Sequence, residues 1–257
     1  VLINHGLTPQ EIFFYRFLIA YTGIWVISPK RLFTGNWKDE LWLVAGGIFG
    51  GSLYFFTENT ALGITQASNV SFIICTAPLL TTILSLLFYK SEKASKGLIY
   101  GSLLALMGVG LIVFNGSFVL KISPIGDLLT LLAALSWAFY SLIIKKMAGR
   151  YPTVFITRKI FFYGVLTILP AFLLHPLQPD TAVLLQPGVL FNLLFLAVLA
   201  SLICYVLWNV VLKQLGTVRA SNYIYLNPLV TMIASSLILD EKITLVALGG
   251  AACIVCG

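Results

Sequence analysis

Few residues of this 257-residue chain could do chemistry, because only 10% of them are charged and 59% are hydrophobic. Glu58 and Arg16 are two ionisable residues that lie inside apolar stretches. Ionisable groups in such surroundings are costly, so they usually face a partner or a water-filled cavity. Glu58 is therefore a candidate site for proton coupling or for a substrate charge. The alternatives are a static ion pair with Arg16 or a side chain that extends into water.

Aromatic and amide side chains also fall near the middle of apolar stretches. Tyr and Trp combine an apolar face with one hydrogen-bonding group, which suits a site for small amphipathic solutes. With Glu58, the candidate lining residues are Tyr54, Trp137, Tyr140, Tyr205, Trp208, Tyr225 and Asn227. Asn227 is the most suggestive, because an amide among apolar residues needs a hydrogen-bonding partner. For each residue, packing or an interfacial position is the alternative.

Two prolines interrupt apolar stretches at corresponding places. Pro78 and Pro228 each remove one backbone donor and free a carbonyl four residues earlier, that of Ile74 or Ile224. In lipid such a carbonyl needs a partner or must face a cavity lined by protein. The prolines therefore predict helix kinks, which either line a path through the protein or only shape its packing.

The chain shows no constellation that would support catalysis or cofactor binding. Cys253 and Cys256 have a metal-like spacing, but neither a second cysteine pair nor a histidine cluster accompanies them, which favours packing. His5 and His175 lie far from any paired serine or cysteine, and glycine-rich nucleotide-binding motifs are absent. We therefore expect no metal site, no cofactor and no enzyme activity.

The elements that hold these residues must be membrane helices. An ordinary soluble domain is about one quarter charged, whereas this chain has a mean hydropathy of +0.98. A span needs about 20 apolar residues. The apolar runs are 12–29, 41–61, 67–89, 97–115, 126–147, 155–175, 188–212, 219–239 and 243–257. The composition thus predicts an all-α membrane protein, with lipid as its solvent and about nine spans.

Two parts of the chain repeat one another. The elements that recur are Ala67-Ser68-Asn69, Pro78 and Glu92 in the first copy and Ala220-Ser221-Asn222, Pro228 and Glu241 in the second. The glutamates are 149 residues apart (241 − 92), as are Gly101 and Gly250 (250 − 101) and Gly108 and Gly257 (257 − 108). The prolines are 150 apart (228 − 78) and the triplets 153 (220 − 67), so about one helical turn is missing between triplet and proline in the second copy. These spacings indicate duplication. We expect an N-terminal half at 1–116 and a C-terminal half at 117–257.

The repeat also accounts for the odd number of spans. Pro9 corresponds to Pro152, at an offset of 143 (152 − 9), so the first half lacks a helix matching 126–147. We therefore expect ten transmembrane helices in the full protein, in two halves of five. About nine are present here, with helix 1 mostly missing and the last one cut short.

Basic residues predict the orientation. All Lys and Arg residues except Arg16, Lys121 and Lys242 fall on one side of the predicted topology, which is 13 of 16 (16 − 3). The positive-inside rule makes that side cytoplasmic, with both termini of the full protein inside, and explains the net charge of +7 without nucleic acid. Because five helices is an odd number, the second half enters from the opposite face. Inverted repeats of this kind are found in many secondary transporters.

The chain resembles the EamA family of the drug/metabolite transporter superfamily. The residues that carry the resemblance are Leu7-Thr8-Pro9, Arg16-Phe17, Ala61-Leu62, Ala67-Ser68-Asn69, Ala77-Pro78-Leu79, Glu92, Gly126-Asp127-Leu128, Leu135 to Tyr140, Leu215-Gly216, Asn227-Pro228 and Glu241. The resemblance implies two bundles of five helices around a central cavity. It also implies export or exchange of small metabolites, amino-acid-like or drug-like, by alternating access.

We therefore expect a multi-pass protein of the cytoplasmic membrane, a bacterial inner membrane, that exports or exchanges a small organic metabolite. A solute or proton gradient would drive it. The alternatives are an intramembrane enzyme acting on lipid and a non-transporting membrane subunit. An enzyme needs a cluster of acidic, histidine or nucleophilic groups at membrane depth, and only Glu58 comes near to that requirement.

Overall fold

The computed structural model describes residues 2, 5–29, 33–89, 96–114, 123–174, 176–177, 181–239 and 244–257. These residues form helices joined by turns, and no strand occurs among them. Helices suit lipid because they satisfy their own backbone hydrogen bonds. The all-helical architecture predicted from the composition is confirmed for the described residues.

Fifteen α-helices are described, and three segments of other helix types join some of them. The α-helices are α1 (Pro9–Ile27), α2 (Trp37–Gly47), α3 (Leu53–Ile64), α4 (Ala67–Ile74), α5 (Ala77–Phe88), α6 (Lys96–Phe114), α7 (Pro124–Ala148), α8 (Thr153–Ile168), α9 (Ala171–Leu174), α10 (Thr181–Leu184), α11 (Pro187–Leu194), α12 (Cys204–Leu215), α13 (Thr217–Asn222), α14 (Asn227–Leu239) and α15 (Leu245–Cys256). Two π-helical segments, Ile48–Ser52 and Phe195–Ile203, join α2 to α3 and α11 to α12. A 3₁₀ turn, Tyr223–Leu226, joins α13 to α14.

Several of these helices are long and apolar enough to cross a membrane. When consecutive helical segments are counted together, five stretches of the described chain qualify: Ser68–Phe88, Gly97–Phe114, Pro124–Ala148, Thr153–Leu173 and Pro187–Leu215. Leu245–Cys256 is a shorter apolar helix. Large apolar side chains such as Leu87, Leu173 and Leu245 are exposed, as expected where lipid is the solvent. The chain is a multi-pass membrane protein. The ten-helix count and the mostly missing first helix remain predictions.

The helix that carries Arg16 begins with a capping box. The Thr8 hydroxyl oxygen accepts a hydrogen bond from the Glu11 amide at 3.3 Å, and the Glu11 carboxylate accepts one from the Thr8 amide at 2.8 Å. Pro9 takes the first helical position, where its missing N–H costs nothing. These contacts fix where α1 begins, and hence how far along the helix Arg16 lies.

The two helices with a central proline are both interrupted just before it. In the first copy α4 ends at Ile74 and α5 begins at Ala77, so Pro78 lies in the first turn of α5. In the second copy the 3₁₀ turn replaces α-helix up to Leu226, and α14 then begins one residue before Pro228. A first turn tolerates proline because its amides lack helical partners in any case. Both prolines therefore begin a new helical segment.

The described chain forms two compact units. Unit 1 comprises Val1–Asn59 and Phe139–Gly216, and unit 2 comprises Thr60–Ala138 and Thr217–Gly257. Each unit takes segments from both parts of the chain. The units are therefore a different division from the repeats at 1–116 and 117–257, which remain a prediction about duplication.

In unit 2, α6 and α15 pack closely through glycines. A Cβ atom on Gly108 would lie 2.5 Å from the Gly250 carbonyl oxygen, and one on Gly250 would lie 2.6 Å from the Gly108 oxygen. Gly101 and Gly257 are in similarly close contact. Residue numbers rise along one helix as they fall along the other, so the two helices are antiparallel. Small residues allow this backbone contact.

Adjacent glycines on α15 provide a test of this packing. Alanine at Gly250 would force its Cβ against the Gly108 carbonyl, whereas alanine at Gly249 would meet open space. We expect Gly250→Ala to lower the thermal stability of the purified protein in detergent by about 1–3 kcal/mol. Gly249→Ala should leave it unchanged or raise it by up to about 1 kcal/mol, through helix propensity. Equal effects of the two substitutions would contradict the close glycine contact.

Candidate functional site

The structure divides the eight predicted lining residues between its two units. Unit 1 contains Tyr54, Glu58, Tyr140, Tyr205 and Trp208, and unit 2 contains Trp137, Tyr225 and Asn227. Tyr225 is buried within the 3₁₀ turn, while Asn227 is exposed at the start of α14. The predicted residues that the structure brings together are those of unit 1.

Glu58 and Arg16 lie in a buried polar group, which we call the Arg16 cluster (Arg16, Tyr54, Phe55, Glu58 and Ser201). Arg16 Nε donates to Ser201 Oγ at 2.8 Å, and the guanidinium carbon lies 4.4 Å from the centre of the Phe55 ring. The Tyr54 hydroxyl donates to Glu58 Oε1 at 3.0 Å across one turn of α3. The two opposite charges therefore have separate, neutral partners rather than a mutual ion pair.

Two further predicted residues bind neighbouring helices. Tyr205 on α12 donates its hydroxyl to the Gly50 carbonyl at 2.6 Å, inside the first π-helical segment. Tyr140 donates to Asn209 Oδ1 at 2.8 Å, and Asn209 Nδ2 donates to Thr157 Oγ1 at 2.9 Å. Buried polar atoms are normally paired in this way. Tyr140 and Tyr205 therefore hold four helical segments in place, a role that the sequence could not separate from solute binding.

Sequence reasoning missed the two π-helical segments. The first segment, Ile48–Ser52, joins α2 to α3, and the second, Phe195–Ile203, joins α11 to α12. π-helical turns are rare and are frequent at functional sites. Ser201, the partner of Arg16, lies in the second segment, and Gly50, the acceptor for Tyr205, lies in the first. The one sequence signal was the glycine pair Gly50-Gly51 in the first segment, and the second segment contains no glycine.

Unit 1 also contains a second charged group, the Lys159 cluster (Asp39, Glu40, Arg150, Tyr151, Lys159 and Tyr163). Lys159 is fully buried, and its ammonium contacts the Glu40 carboxylate and the Tyr163 hydroxyl. Tyr163 also donates to Glu40, and the Thr34 hydroxyl donates to the same carboxylate at 2.7 Å. The cation and the carboxylate thus satisfy each other inside the protein. More than 100 residues separate Glu40 from Lys159 in the chain, so no local pattern could reveal the pair.

A second ion pair of the Lys159 cluster joins an exposed cation to a buried carboxylate, Asp39. Arg150 pairs with Asp39 at 2.5 Å, while its side chain remains 55% exposed. The Tyr151 hydroxyl donates to Asp39 Oδ2 at 2.9 Å. Loss of solvent, and then the adjacent carboxylate, raise the pKa of Tyr151 above its ordinary value. Tyr151 therefore stays protonated, and able to donate, throughout the physiological pH range.

The two ion pairs of this cluster should differ in their contribution to stability. Lys159→Met leaves the Glu40 carboxylate without its buried cation, and we expect it to destabilise the protein by about 3–5 kcal/mol. Arg150→Met removes a largely exposed cation, and its buried partner Asp39 keeps the Tyr151 hydrogen bond, so the cost should be smaller, about 1–2 kcal/mol. Thermal unfolding in detergent measures both. The double variant Glu40→Gln with Lys159→Met should recover part of the loss, and equal effects of the two single substitutions would contradict the assignment.

Comparison with known proteins agrees with the architecture. The chain matches the model of the EamA-like transporter family over residues 2–114 and 124–257. An uncharacterized transporter of Archaeoglobus fulgidus is 30% identical over 240 residues, covering 92% of this chain and 81% of that protein. A probable amino-acid metabolite efflux pump of Escherichia coli is 24% identical, covering 98% of this chain and 85% of the pump. One crystal structure aligns with a TM-score of 0.77 at 17% identity, covering 98% of this chain and 86% of the other, which supports the fold alone.

The fold and these relatives define a multi-pass membrane transporter rather than an enzyme. The chain belongs to the EamA-like transporter family. The resemblance found in the sequence is thereby confirmed, and a small-molecule substrate follows from membership of the family.

Proposed function

We propose that this protein is a secondary transporter that exports or exchanges a small organic metabolite across the cytoplasmic membrane by alternating access. The observation that carries the proposal is the Arg16 cluster, where a buried cation and a half-buried carboxylate on different helices have neutral hydrogen-bonding partners among the described residues. In a membrane protein, buried ionisable groups of this kind mark solute or ion pathways. The efflux pump of Escherichia coli, by its name, handles amino-acid metabolites, which favours an amino-acid-like solute here.

The proposed halves are inverted repeats. The antiparallel packing of α6 and α15 supports this, because Gly101 corresponds to Gly250 and Gly108 to Gly257 at the common offset. If each glycine is replaced by its counterpart, Gly101 becomes Gly250 and Gly257 becomes Gly108. The contact of Gly101 with Gly257 then becomes the contact of Gly250 with Gly108, which the structure also contains. Helices related by an inverted repeat would meet in this way. The family match, in stretches ending at 114 and beginning at 124, is consistent with halves that join near 116.

Alternating access requires segments that can change conformation. The helix breaks before Pro78 and Pro228 and the two π-helical segments are places where the regular helical hydrogen-bond ladder is already altered. In unit 1, we propose that the solute path runs beside the π-helical segments and is lined by Glu58, Tyr54, Tyr140, Tyr205 and Trp208. In unit 2, Trp137, Tyr225 and Asn227 stay predicted lining residues.

In the proposed topology the protein lies in a bacterial inner membrane with both termini of the full protein in the cytoplasm. A solute gradient or a proton gradient drives the transport cycle. Glu58 is the candidate proton carrier, since it is the carboxylate of the Arg16 cluster and its partner, Tyr54, is neutral. No observation favours a lipid-modifying enzyme or a non-transporting subunit over this function.

A comparison of metabolites tests the proposed function. Cells that produce the protein should release one or more small organic metabolites faster than cells with an empty vector. The purified protein in liposomes should then catalyse counterflow of the same labelled metabolite. Absence of any difference in release, together with absence of counterflow, would contradict transport and favour a membrane subunit. Product formation without flux would favour an enzyme.

The coupling role of Glu58 has its own test. Glu58→Gln keeps the size and hydrogen-bonding capacity of the side chain but cannot carry a proton. We expect it to abolish the pH dependence of counterflow or uptake, whereas Asp127→Asn, in the first turn of α7, should retain the wild-type profile. Rates measured across a range of pH values in liposomes give the comparison. Full transport by Glu58→Gln with an unchanged pH profile would exclude a coupling role for Glu58.

A further inference from the structure

Arg16 has fewer hydrogen-bonding partners than its burial demands. A guanidinium group carries five N–H donors. In the described part of the chain, the one hydrogen-bond acceptor of this group is Ser201 Oγ, which accepts the Nε proton. The residue is only 9% exposed, yet its terminal nitrogens are not among the fully enclosed polar atoms that lack a partner. The four protons on these nitrogens therefore face accessible space, where a further acceptor can reach them.

The equivalent residue of the other half has the partner that Arg16 lacks. Arg16 follows Pro9 by seven residues (16 − 9), and Lys159 follows Pro152 by seven (159 − 152), so the two cations correspond at the offset of 143. Lys159 is paired with the Glu40 carboxylate and with the Tyr163 hydroxyl. Arg16 has a hydroxyl partner, Ser201, but its carboxylate position is open. A carboxylate from outside the chain would complete the same arrangement.

Stability alone does not explain why a cation stands at this position. Replacing a buried charged group by an apolar one of similar volume is often neutral or stabilising. The Phe55 ring covers one face of the guanidinium but offers no lone pair to its N–H groups. The cation therefore has a use other than holding α1 in place.

The geometry and the surrounding charges select the ligand. With Nε bound to Ser201, the two terminal nitrogens form a planar fork, which matches the two oxygens of a carboxylate. The ionisable groups that act on Arg16 are Tyr205, Glu58, Tyr54 and Cys204. Glu58 already supplies one negative charge, so a doubly charged phosphate would be repelled more strongly than a singly charged carboxylate. A solute that also carries an ammonium group would have Glu58 as a second partner.

We propose that Arg16 binds the carboxylate of the transported solute, with Ser201 and Phe55 orienting the guanidinium. This assignment rests on the proposed transport function and names its substrate class as small organic carboxylates. Ser201 is a positioning residue, because it acts on the solute only through Arg16. Its place in the second π-helical segment means that a change in that segment would move the guanidinium.

The experiment uses pairs of solutes that differ only in the acid group. The probes are L-phenylalanine with its amide, 3-phenylpropionate with its amide, and succinate with its diamide, alongside the metabolites that producing cells release. In liposomes that contain the wild-type protein, we expect the transported solutes to be acids. Their amides should cross at least about tenfold more slowly, because they cannot form the charge-assisted pair with the guanidinium. Arg16→Gln should remove this preference, and Arg16→Lys should retain part of it. Arg150→Gln is the control, because Arg150 is a largely exposed cation outside the Arg16 cluster. It should keep the preference for acids over amides.

The outcomes separate this inference from the proposed function. Released metabolites that lack an acid group, or amides that cross as fast as their acids, would overturn the role of Arg16 while leaving transport intact. Absence of every flux would overturn both. If Arg16→Gln does not fold, Ser201→Ala provides the test, because it keeps the charge. We expect it to raise KM for the acid with kcat retained, and an unchanged KM would contradict the proposed geometry.

Discussion

The cost of a polar group in lipid is the constraint on which the rest of this structure depends. Helices avoid this cost for the backbone, because their N–H and C=O groups bond to one another. In unit 1, hydrogen bonds between side chains avoid it for many of the buried polar atoms. Lys159 lies beside Glu40 and Tyr163, Asn209 lies between Tyr140 and Thr157, and Tyr205 satisfies the Gly50 carbonyl. Against that background the incomplete set of partners around Arg16 is informative. Among the described residues, the Arg16 guanidinium has a neutral hydrogen-bonding partner and lies near the Glu58 charge without forming an ion pair with it.

The proposed duplication accounts for this asymmetry. Under it, Arg16 and Lys159 occupy equivalent positions with different neighbours: Lys159 pairs with Glu40, whereas Arg16 binds the Ser201 hydroxyl. The glycine contacts between α6 and α15 fit the same correspondence, because a Cβ placed 2.5–2.6 Å from a backbone oxygen leaves no room for a side chain. The proposal thus pairs similar packing positions and dissimilar polar ones.

Sequence reasoning recovered the features that depend on local pattern. Apolar runs predicted helices, and the prolines predicted as kinks lie where helical segments begin. Features that depend on contacts between distant segments could not be predicted. The pairing of Lys159 with Glu40 joins residues far apart in the chain, and no composition distinguishes it from two unrelated loop charges. The π-helical segments escaped detection because their sequences, Ile48–Ser52 and Phe195–Ile203, have in common little beyond apolar and small residues. Trp137 and Tyr140 lie three residues apart on α7, yet they belong to different units, a division that helical periodicity does not show.

The proposed alternating-access mechanism requires that the two halves cross the membrane in opposite senses. Asn36 and Gln186 are exposed residues that precede α2 and α11, which correspond in the proposed repeat. To measure this directly, the four native cysteines are first replaced by alanine. The variants Asn36→Cys and Gln186→Cys are then labelled separately with a maleimide that cannot cross the membrane. We predict labelling of Asn36→Cys from the cytoplasmic side alone and of Gln186→Cys from the outer side alone. Labelling of both positions from a common side would contradict the inverted repeat, and with it the proposed alternating-access mechanism.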